Sequence, residues 1–384
     1  MEGPRATKPE EVQSVIDLVN LVFRTGNQLK PTMGIEFPLL LCEANRDNMR
    51  IITEDGHPVS DINYYPASIA VERSTVRVAS IGAVCTHPDY RGRNYATAIL
   101  DDVEDKMRRE GVEVMLVSGS RGLYLRRHCV KVGGFYKALL KPNKEQRKDL
   151  TLTEIDSSNI REAVHLYHQE AVRYHRTFQE FIQFHKGATT PWGNMYYKSY
   201  LIHIGGKAAA YMIVRFFTDT DRAEVREFAG DRGTVISGIY KMIQDNSLTE
   251  CSLVSARNDV INILLEEKGI QLQHQDQQGT LKILNYPSLM NSLKSYMRQY
   301  LPDDRMDLLK FEETDGEFMM AAGEETLTID SMELLGQLLF SQREQEPLTD
   351  ALFRDELADK PRLRQILSTV FPIPFPWTGN MNFI

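Results

Sequence analysis

Long apolar runs are missing from this chain of 384 residues. No stretch is long enough to cross a bilayer. The N-terminus, MEGPRATKPEEVQ, lacks the apolar core of a secretory signal. Cysteine is scarce: Cys42, Cys85, Cys129 and Cys251 are scattered and form no C-x-x-C pair. That pattern speaks against a disulfide framework and a zinc ribbon, and fits a reducing cytoplasm. A basic excess is missing too, with 45 Lys and Arg against 53 Asp and Glu. A general nucleic-acid binder is usually basic. An acidic surface instead suits cationic small molecules or basic peptides as encounter partners. The expectation is a cytoplasmic protein with no membrane or nucleic-acid partner. Its hydrophobic share of 42% is that of a globular chain, and its length calls for two or three domains.

The first third alternates between helical and strand patterns. Val12, Val15, Ile16, Val19 and Val22 share a helical face. NMRIITEDGHPVSDINYYP reads as strand, Asp55-Gly56 turn, strand, and SIAVERSTVRVASIGAVCTHP is β-rich. A helical stripe of Ala96, Ile99, Leu100, Val103 and Met107 follows. VEVMLVSGS then reads as a short strand, RGLYLRRH as a short helix and KVGGFYKALL as a last strand. This order predicts a mixed sheet with helices packed on it. A polar seam, KPNKEQRKDLTLTEI, precedes a weak repeat of the same order, in which AEVREFAGDRGTVISGIYKMI is a degraded copy of ASIGAVCTHPDYRGRNYATAIL. The third region begins near NYPSLMNSLKSYMRQYL and ends in VFPIPFPWTGNMNFI. Pro372, Pro374, Pro376 and Gly379 exclude a terminal helix. Phe371, Phe375, Trp377 and Phe383 make the end too apolar for a free tail.

The turn HPDYRGRN is the most unusual stretch. Adjacent guanidinium groups repel, and a plain connector uses Gly, Asp, Ser or Pro. A helix N-terminus offers free N–H groups to an anion. Small residues let the backbone approach the anion, and arginines add charge-assisted hydrogen bonds. The turn therefore reads either as a pyrophosphate cradle after a strand or as a solvated basic turn.

The same residues resemble the coenzyme A-binding motif of the GNAT acetyltransferase superfamily, R/Q-x-x-G-x-G/A after a strand. Arg91 and Ala96 fall at its outer positions, and Asn94 stands where the family has Gly. Asn is the residue after Gly that best tolerates left-handed backbone. The resemblance makes Arg91, Gly92, Arg93, Asn94, Tyr95 and Ala96 cofactor-binding residues. It gives the backbone of Ala83, Val84, Cys85 and Thr86 the pantetheine arm and the acetyl carbonyl, through donors aimed at a developing oxyanion. GLYLRRHCV resembles the family's Y-x-x-x-G-[F/Y] segment, with Tyr124 at the tyrosine, His128 in place of Gly and Cys129 at the aromatic. In the family this tyrosine protonates the leaving thiolate, a role open to a phenol of ordinary pKa about 10. Cys85 could instead suggest an acyl-cysteine, but no His-and-Asp arrangement is visible to activate it.

The order of intact domain, degraded copy, third domain and apolar end resembles the Eis-like branch of that superfamily. The resemblance implies an α+β chain with a catalytic GNAT domain at 1–146, a degenerate GNAT-like domain at 147–285, and a sterol-carrier-protein-like α+β domain at 286–384. It directs the C-terminus to the first active site, where the α-carboxylate of Ile384 helps deprotonate the acceptor. It also implies a homo-oligomer, a hexamer or trimer of dimers. Glu36 and Phe37 lie where the superfamily lines its acceptor pocket; they also read as ordinary core-edge residues. His165, His168 and His175 fall near one helical face, but their spacing is not H-E-x-x-H, and a wet amphipathic face explains them without a metal. The function expected is an acetyl-CoA-dependent N-acetyltransferase acting on a primary amine, whether an aminoglycoside, a polyamine or a lysine side chain. The rival is a non-catalytic acyl-CoA-binding or lipid-carrying protein with a decayed site.

Overall fold

The computed structural model describes residues 1–143, 147–341 and 352–382. β1 (Glu2–Ala6) leads to α1 (Val12–Phe23), the single turn α2 (Met33–Glu36), and a meander of β2 (Met49–Glu54), β3 (His57–Val71) and β4 (Ser74–Thr86). The turn between β2 and β3 has positive φ at both Asp55 and Gly56, the twist that suits a two-residue hairpin. α3 (Tyr95–Arg109) returns the chain to β5 (Val114–Val117), which pairs parallel with β4. α4 (Gly122–Leu125) and β6 (Gly133–Leu140) follow. The same succession recurs: β7 (Leu150–Glu154), α5 (Ile160–His168), β8 (Val172–Tyr174), α6 (Phe178–Ala188), β9 (Met195–Ile204), β10 (Lys207–Phe217), β11 (Arg222–Gly230), α7 (Arg232–Asp245), β12 (Glu250–Ala256), α8 (Ile261–Glu267), β13 (Leu272–Asp276) and β14 (Thr280–Ile283). The last region holds α9 (Tyr286–Ser292), α10 (Lys294–Met297), α11 (Asp303–Met306), the meander β15 (Leu309–Thr314), β16 (Glu317–Ala322) and β17 (Glu325–Ile329), then α12 (Met332–Phe340) and α13 (Pro361–Val370).

Among the described residues two large mixed sheets and one small antiparallel sheet result, so the fold is α+β. The first sheet runs β1-β2-β3-β4-β5-β14, with β8 on β3. The second runs β13-β6-β12-β11-β10-β9-β7, and the third β15-β16-β17. The two large sheets exchange strands. KVGGFYKALL, read from sequence as the last strand of the first unit, pairs as β6 with β12 of the second sheet. In return β14 closes the free edge of β5. An unpaired edge on either β5 or β12 would leave backbone groups unsatisfied. The exchange covers both edges, and it ties the units together across the limits expected near residues 146 and 285.

Helix α3 covers one face of the first sheet, where Ile99, Leu100, Val103 and Met107 pack on Ile62, Tyr64, Ala79 and Ile81. α1 covers the other face near β2, through Val15, Val19, Met49 and Ile51. The underside of β4 and β5 (Val76, Val78, Val114, Leu116) shares a core with α9, the small sheet and α13. That continuity fixes the third region to the first. Among the described residues no helix is long and apolar enough to cross a membrane.

A candidate acyl-carrier site at a splayed strand pair

β4 and β5 pair in parallel from Val78↔Val114 to Ile81↔Val117, and there the pairing stops. β4 runs on to Thr86. Ala83, Val84, Cys85 and Thr86 therefore lie beyond the last rung, with the β5 side of their backbone released from the ladder. On the other side, β4 pairs with β3 through a β-bulge: Asp61 faces Cys85 and Asn63 faces Gly82, so Ala83 and Val84 together oppose Ile62. Ala83 takes φ +51°, a left-handed conformation uncommon for a residue with a Cβ. Bulges of this kind re-aim backbone groups next to functional sites.

The Arg-rich turn continues from Thr86. Arg91, Gly92, Arg93 and Asn94 are all exposed. Arg91 Nε donates to the Thr86 carbonyl at 3.4 Å, and the Arg93 guanidinium bonds Tyr95 and lies 4.8 Å from the centre of the Tyr90 ring. Asn94 adopts φ +62°, and its side chain makes no capping hydrogen bond. The first N–H groups of α3 thus stay unclaimed by the cap residue, as an incoming anion requires. Tyr95 is turned aside, its hydroxyl donating to Glu54. Ala96 adds no bulk to the first turn.

α4 follows the end of β5. Tyr124 is buried in the core that also holds Val117, Cys129 and Leu284. Burial pushes its phenol up to about 12, so it remains a proton donor at neutral pH. His128, at the end of this segment, has φ +61°. Asn94 and His128, the two residues expected in place of a motif Gly, both have left-handed backbone. Burial pushes the Cys129 thiol up to about 12 and the Cys85 thiol well above its ordinary value. Cys85 donates to Asp61 Oδ1 at 2.7 Å. A thiol so held is a packing group, not a nucleophile.

The remaining predicted residues lie apart from this cradle. Glu36 is buried, and its oxygens accept from Arg24 Nε (2.8 Å), Arg24 Nη2 (2.5 Å) and Thr32. It is the counter-ion of Arg24, whose guanidinium in turn lies 4.6 Å from the centre of the Trp192 ring. Phe37 is partly buried against the α1 core. α6 closes this region tightly: a Cβ on Gly187 would fall 2.4 Å from the Glu36 carbonyl. Ile384 lies outside the described residues. The segment before it docks firmly, with Thr378 on the Gln278 carbonyl (3.0 Å), Met381 N on Glu227 (3.2 Å) and Asn382 on Arg176 (2.7 Å). Thr378 and Asn382 there share a small cleft with Ser80, Ile81, Val117 and Ser118, at the point where β4 and β5 part. Of the three histidines only His165 and His168 are on a helix; α5 ends at His168, and His175 follows β8. They bind Gln169, the Arg176 carbonyl and Thr75 respectively. No group of three or more His, Cys, Asp or Glu side chains fit for a metal occurs among the described residues.

A second splay exists. β11 and β12 pair in parallel from Arg222↔Glu250 to Val225↔Leu253, and β11 then runs on without β12, still paired with β10, to Gly230 and the start of α7. Here Asp231 caps the helix, accepting from Thr234 N at 2.8 Å. Arg232 is held by Glu170 (2.7 and 2.8 Å) and Asp259 (2.9 Å). A cavity of about 560 Å³ lies beside it, walled partly by Phe375, Pro376 and Trp377 of the C-terminal segment.

Residues 4–129 match the family described as Acetyltransferase (GNAT) domain. Solved structures extend the likeness over the rest of the chain. A GCN5-related N-acetyltransferase from Anabaena variabilis is 15% identical with a TM-score of 0.63, covering 97% of this chain and 99% of the other. A protein of unknown function from Enterococcus faecalis, described as a probable N-acyltransferase, is 14% identical with a TM-score of 0.65, covering 97% of each chain. Eis1 from Mycobacterium abscessus is 12% identical with a TM-score of 0.62, covering 99% of this chain and all of the other. At such identities the likeness is one of fold. No curated protein matches the chain by sequence.

β3 carries functional candidates that the sequence reading passed over. Ser60, Asp61 and Asn63 are wholly buried polar residues beside the bulge. Their signal is VSDINYY, where three polar residues interrupt a strand otherwise fit for a core. Arg24 and Trp192 were missed as well: Arg24 reaches Glu36 across twelve positions of irregular chain, and Trp192 stacks on Arg24 from more than 150 positions away.

Proposed function

We propose that the chain is an acetyl-CoA-dependent N-acetyltransferase that passes an acetyl group directly to a primary amine within a ternary complex. The observation that carries this reading is the combination around the first splay: a released, bulged strand, two exposed arginines, an uncapped helix start and a buried phenol on the short helix after β5. Acetyl-CoA supplies the activated thioester. Arg91, Arg93 and the first N–H groups of α3 hold its pyrophosphate. The backbone from Ala83 to Thr86 pairs with the pantetheine arm and donates to the thioester oxygen as charge develops there. Tyr124 gives its proton to the leaving thiolate. The third region is the sterol-carrier-like domain, residues 147–285 bind no coenzyme A, and the chain works as a homo-oligomer in the cytoplasm. Glu36 and Phe37 shape the acceptor side, Glu36 through its hold on Arg24.

The terminal carboxylate of Ile384 is the proposed base. The docking of residues 378–382 supports this, because Thr378 and Asn382 line the small cleft at the parting of β4 and β5. An α-carboxylate has an ordinary pKa of about 3.3–3.7, and burial near the cofactor would raise it toward the working range. Purified protein with acetyl-CoA and a panel of amines, followed by release of free thiol, tests the activity. Thiol release with one or more amines is expected. Coenzyme A binding without release under any amine would leave an acyl-CoA carrier. A single Gly added after Ile384 moves the carboxylate by up to about 3.6 Å. It should cut kcat strongly while coenzyme A binding stays put.

A further inference from the structure

Asp61 is wholly buried on β3, opposite Cys85. Asn63, two residues on, is also wholly buried, and its side-chain oxygen has no hydrogen-bond partner. The amide is not reversed: its nitrogen donates to Asp61 Oδ2 and to the Ala83 carbonyl (3.3 Å), and both of these are acceptors. Where the bulge breaks the β3–β4 ladder, β3 side chains replace the lost rungs. Ser60 Oγ donates to the Cys85 carbonyl at 3.2 Å and pairs with Thr86 Oγ1 at 2.8 Å. Cys85 donates to Asp61, and Asn63 donates to the carbonyl of the strained residue itself.

We propose that Asp61, acting through Asn63 and Cys85, is a positioning residue that holds the Ala83–Val84 bulge and so aims the β4 backbone donors, and that it does so only when ionised. The inference rests on the acetyltransferase reading. An ionised carboxylate accepts from both neighbours at once. A protonated one carries its hydrogen either on Oδ2, which the Asn63 amide nitrogen cannot accept, or on Oδ1, where it displaces the Cys85 donor, so one of the two bonds is lost. The hold on the bulge then loosens. Burial raises the Asp61 carboxyl to about 7, although the bonds from Cys85 and Asn63 pull the other way. Few charges complicate this titration. Cys85 faces Asp61 from β4, Ile51 pairs with it from β2, and Val15 and Val19 of α1 line the same apolar core. Arg91 acts on Cys85 from the end of β4.

The test uses the full chain with one acceptor amine, whose own titration is common to every variant. The wild type should lose kcat as pH falls through about 7, beyond the acceptor's own titration. Asp61→Asn should lower kcat about tenfold, short of the 10²–10³ of a deleted oxyanion donor, and abolish that extra limb. KM for acetyl-CoA should change little. Cys85→Ala and Asn63→Ala each remove a donor that favours the ionised form, so each should move the limb to higher pH. A second readout needs no turnover. The folded-state pKa is raised above the unfolded value of about 3.9, so Asp61 favours the folded state fully below pH 4 and progressively less as pH rises through 7. The melting temperature of the wild type should therefore fall relative to Asp61→Asn between pH 4 and 7. A flat difference overturns the inference. So does an acid limb unmoved in Cys85→Ala and Asn63→Ala, which decides the matter should Asp61→Asn fail to fold. No thiol release from the wild type with any amine overturns the acetyltransferase reading instead, and the melting difference still judges Asp61.

Discussion

The two splayed strand pairs, β4–β5 and β11–β12, have the same topology and opposite electrostatics. Each has four parallel rungs, a long strand that outruns its partner and a helix at the end of that strand. At the first, the helix begins after an asparagine that does not cap it, next to two exposed arginines. At the second, an aspartate occupies the cap and the following arginine lies between two carboxylates. A pyrophosphate approaching the second helix would meet the Asp231 charge and find Arg232 already engaged. The two splays therefore share a backbone arrangement and differ in a handful of side chains. The second splay serves the C-terminal segment instead. Glu227 on β11, beyond the last rung, accepts from Met381 N while both its oxygens take the Arg176 guanidinium at 2.8 Å. The Arg176 guanidinium beside it holds the Glu227 carboxyl below the usual range in spite of complete burial.

The largest effect should come from breaking that second arrangement. Arg176→Ala leaves Glu227 buried and unpaired, which costs about 3–5 kcal/mol. It also removes the partner of Asn382. Chemical denaturation should show the loss of stability, and limited proteolysis should show earlier cleavage near residue 380. Unchanged stability would mean that the second splay is not a dock for the chain end. Next is Tyr124→Phe, which keeps the ring and removes the proton of the first site. Its kcat should fall about 10²-fold, the scale of general acid catalysis, while calorimetry finds coenzyme A affinity nearly unchanged. Full activity would make Tyr124 a packing residue. The smallest effect concerns binding alone. Arg91→Ala with Arg93→Ala removes charge-assisted bonds of about 1.5–3 kcal/mol each without touching the core. Coenzyme A should raise the wild-type melting temperature by linkage, and most of that rise should vanish in the double variant. Titration of the wild type should give one site per chain; two equivalent sites would erase the contrast between the splays.

Much of the first site was legible because its parts are consecutive. Strand, Arg-rich turn and helix fall within residues 74–109, and Asn94 could be assigned left-handed backbone because few other residues tolerate it. The bulge was not legible, since nothing in GAVCT marks which residue leaves the ladder. Asp61 and Asn63 stayed hidden for the same reason: their importance depends on facing that bulge from the neighbouring strand. The order of strands was legible up to β5 and misleading after it. KVGGFYKALL reads as a strand in either sheet, and its periodicity cannot say which edge it covers.

By itself the sequence determined local character: the arginines and small residues of the turn before α3, the tyrosine after β5, the absence of an Arg-rich turn in GDRG, and an apolar end broken by prolines. These depend on residue type and short spacing, where backbone preference and side-chain chemistry act directly. Tertiary structure alone decided the exchange of β6 and β14, the placing of Asp61 under the bulge, the engagement of Glu36 by Arg24, and the anchoring of residues 378–382 on Glu227 and Arg176. Each of those joins groups on different elements, from twelve residues apart for Arg24 and Glu36 to 206 for Arg176 and Asn382. Their partners are chosen by unsatisfied strand edges and buried charges, and such demands exist only once the sheets have formed.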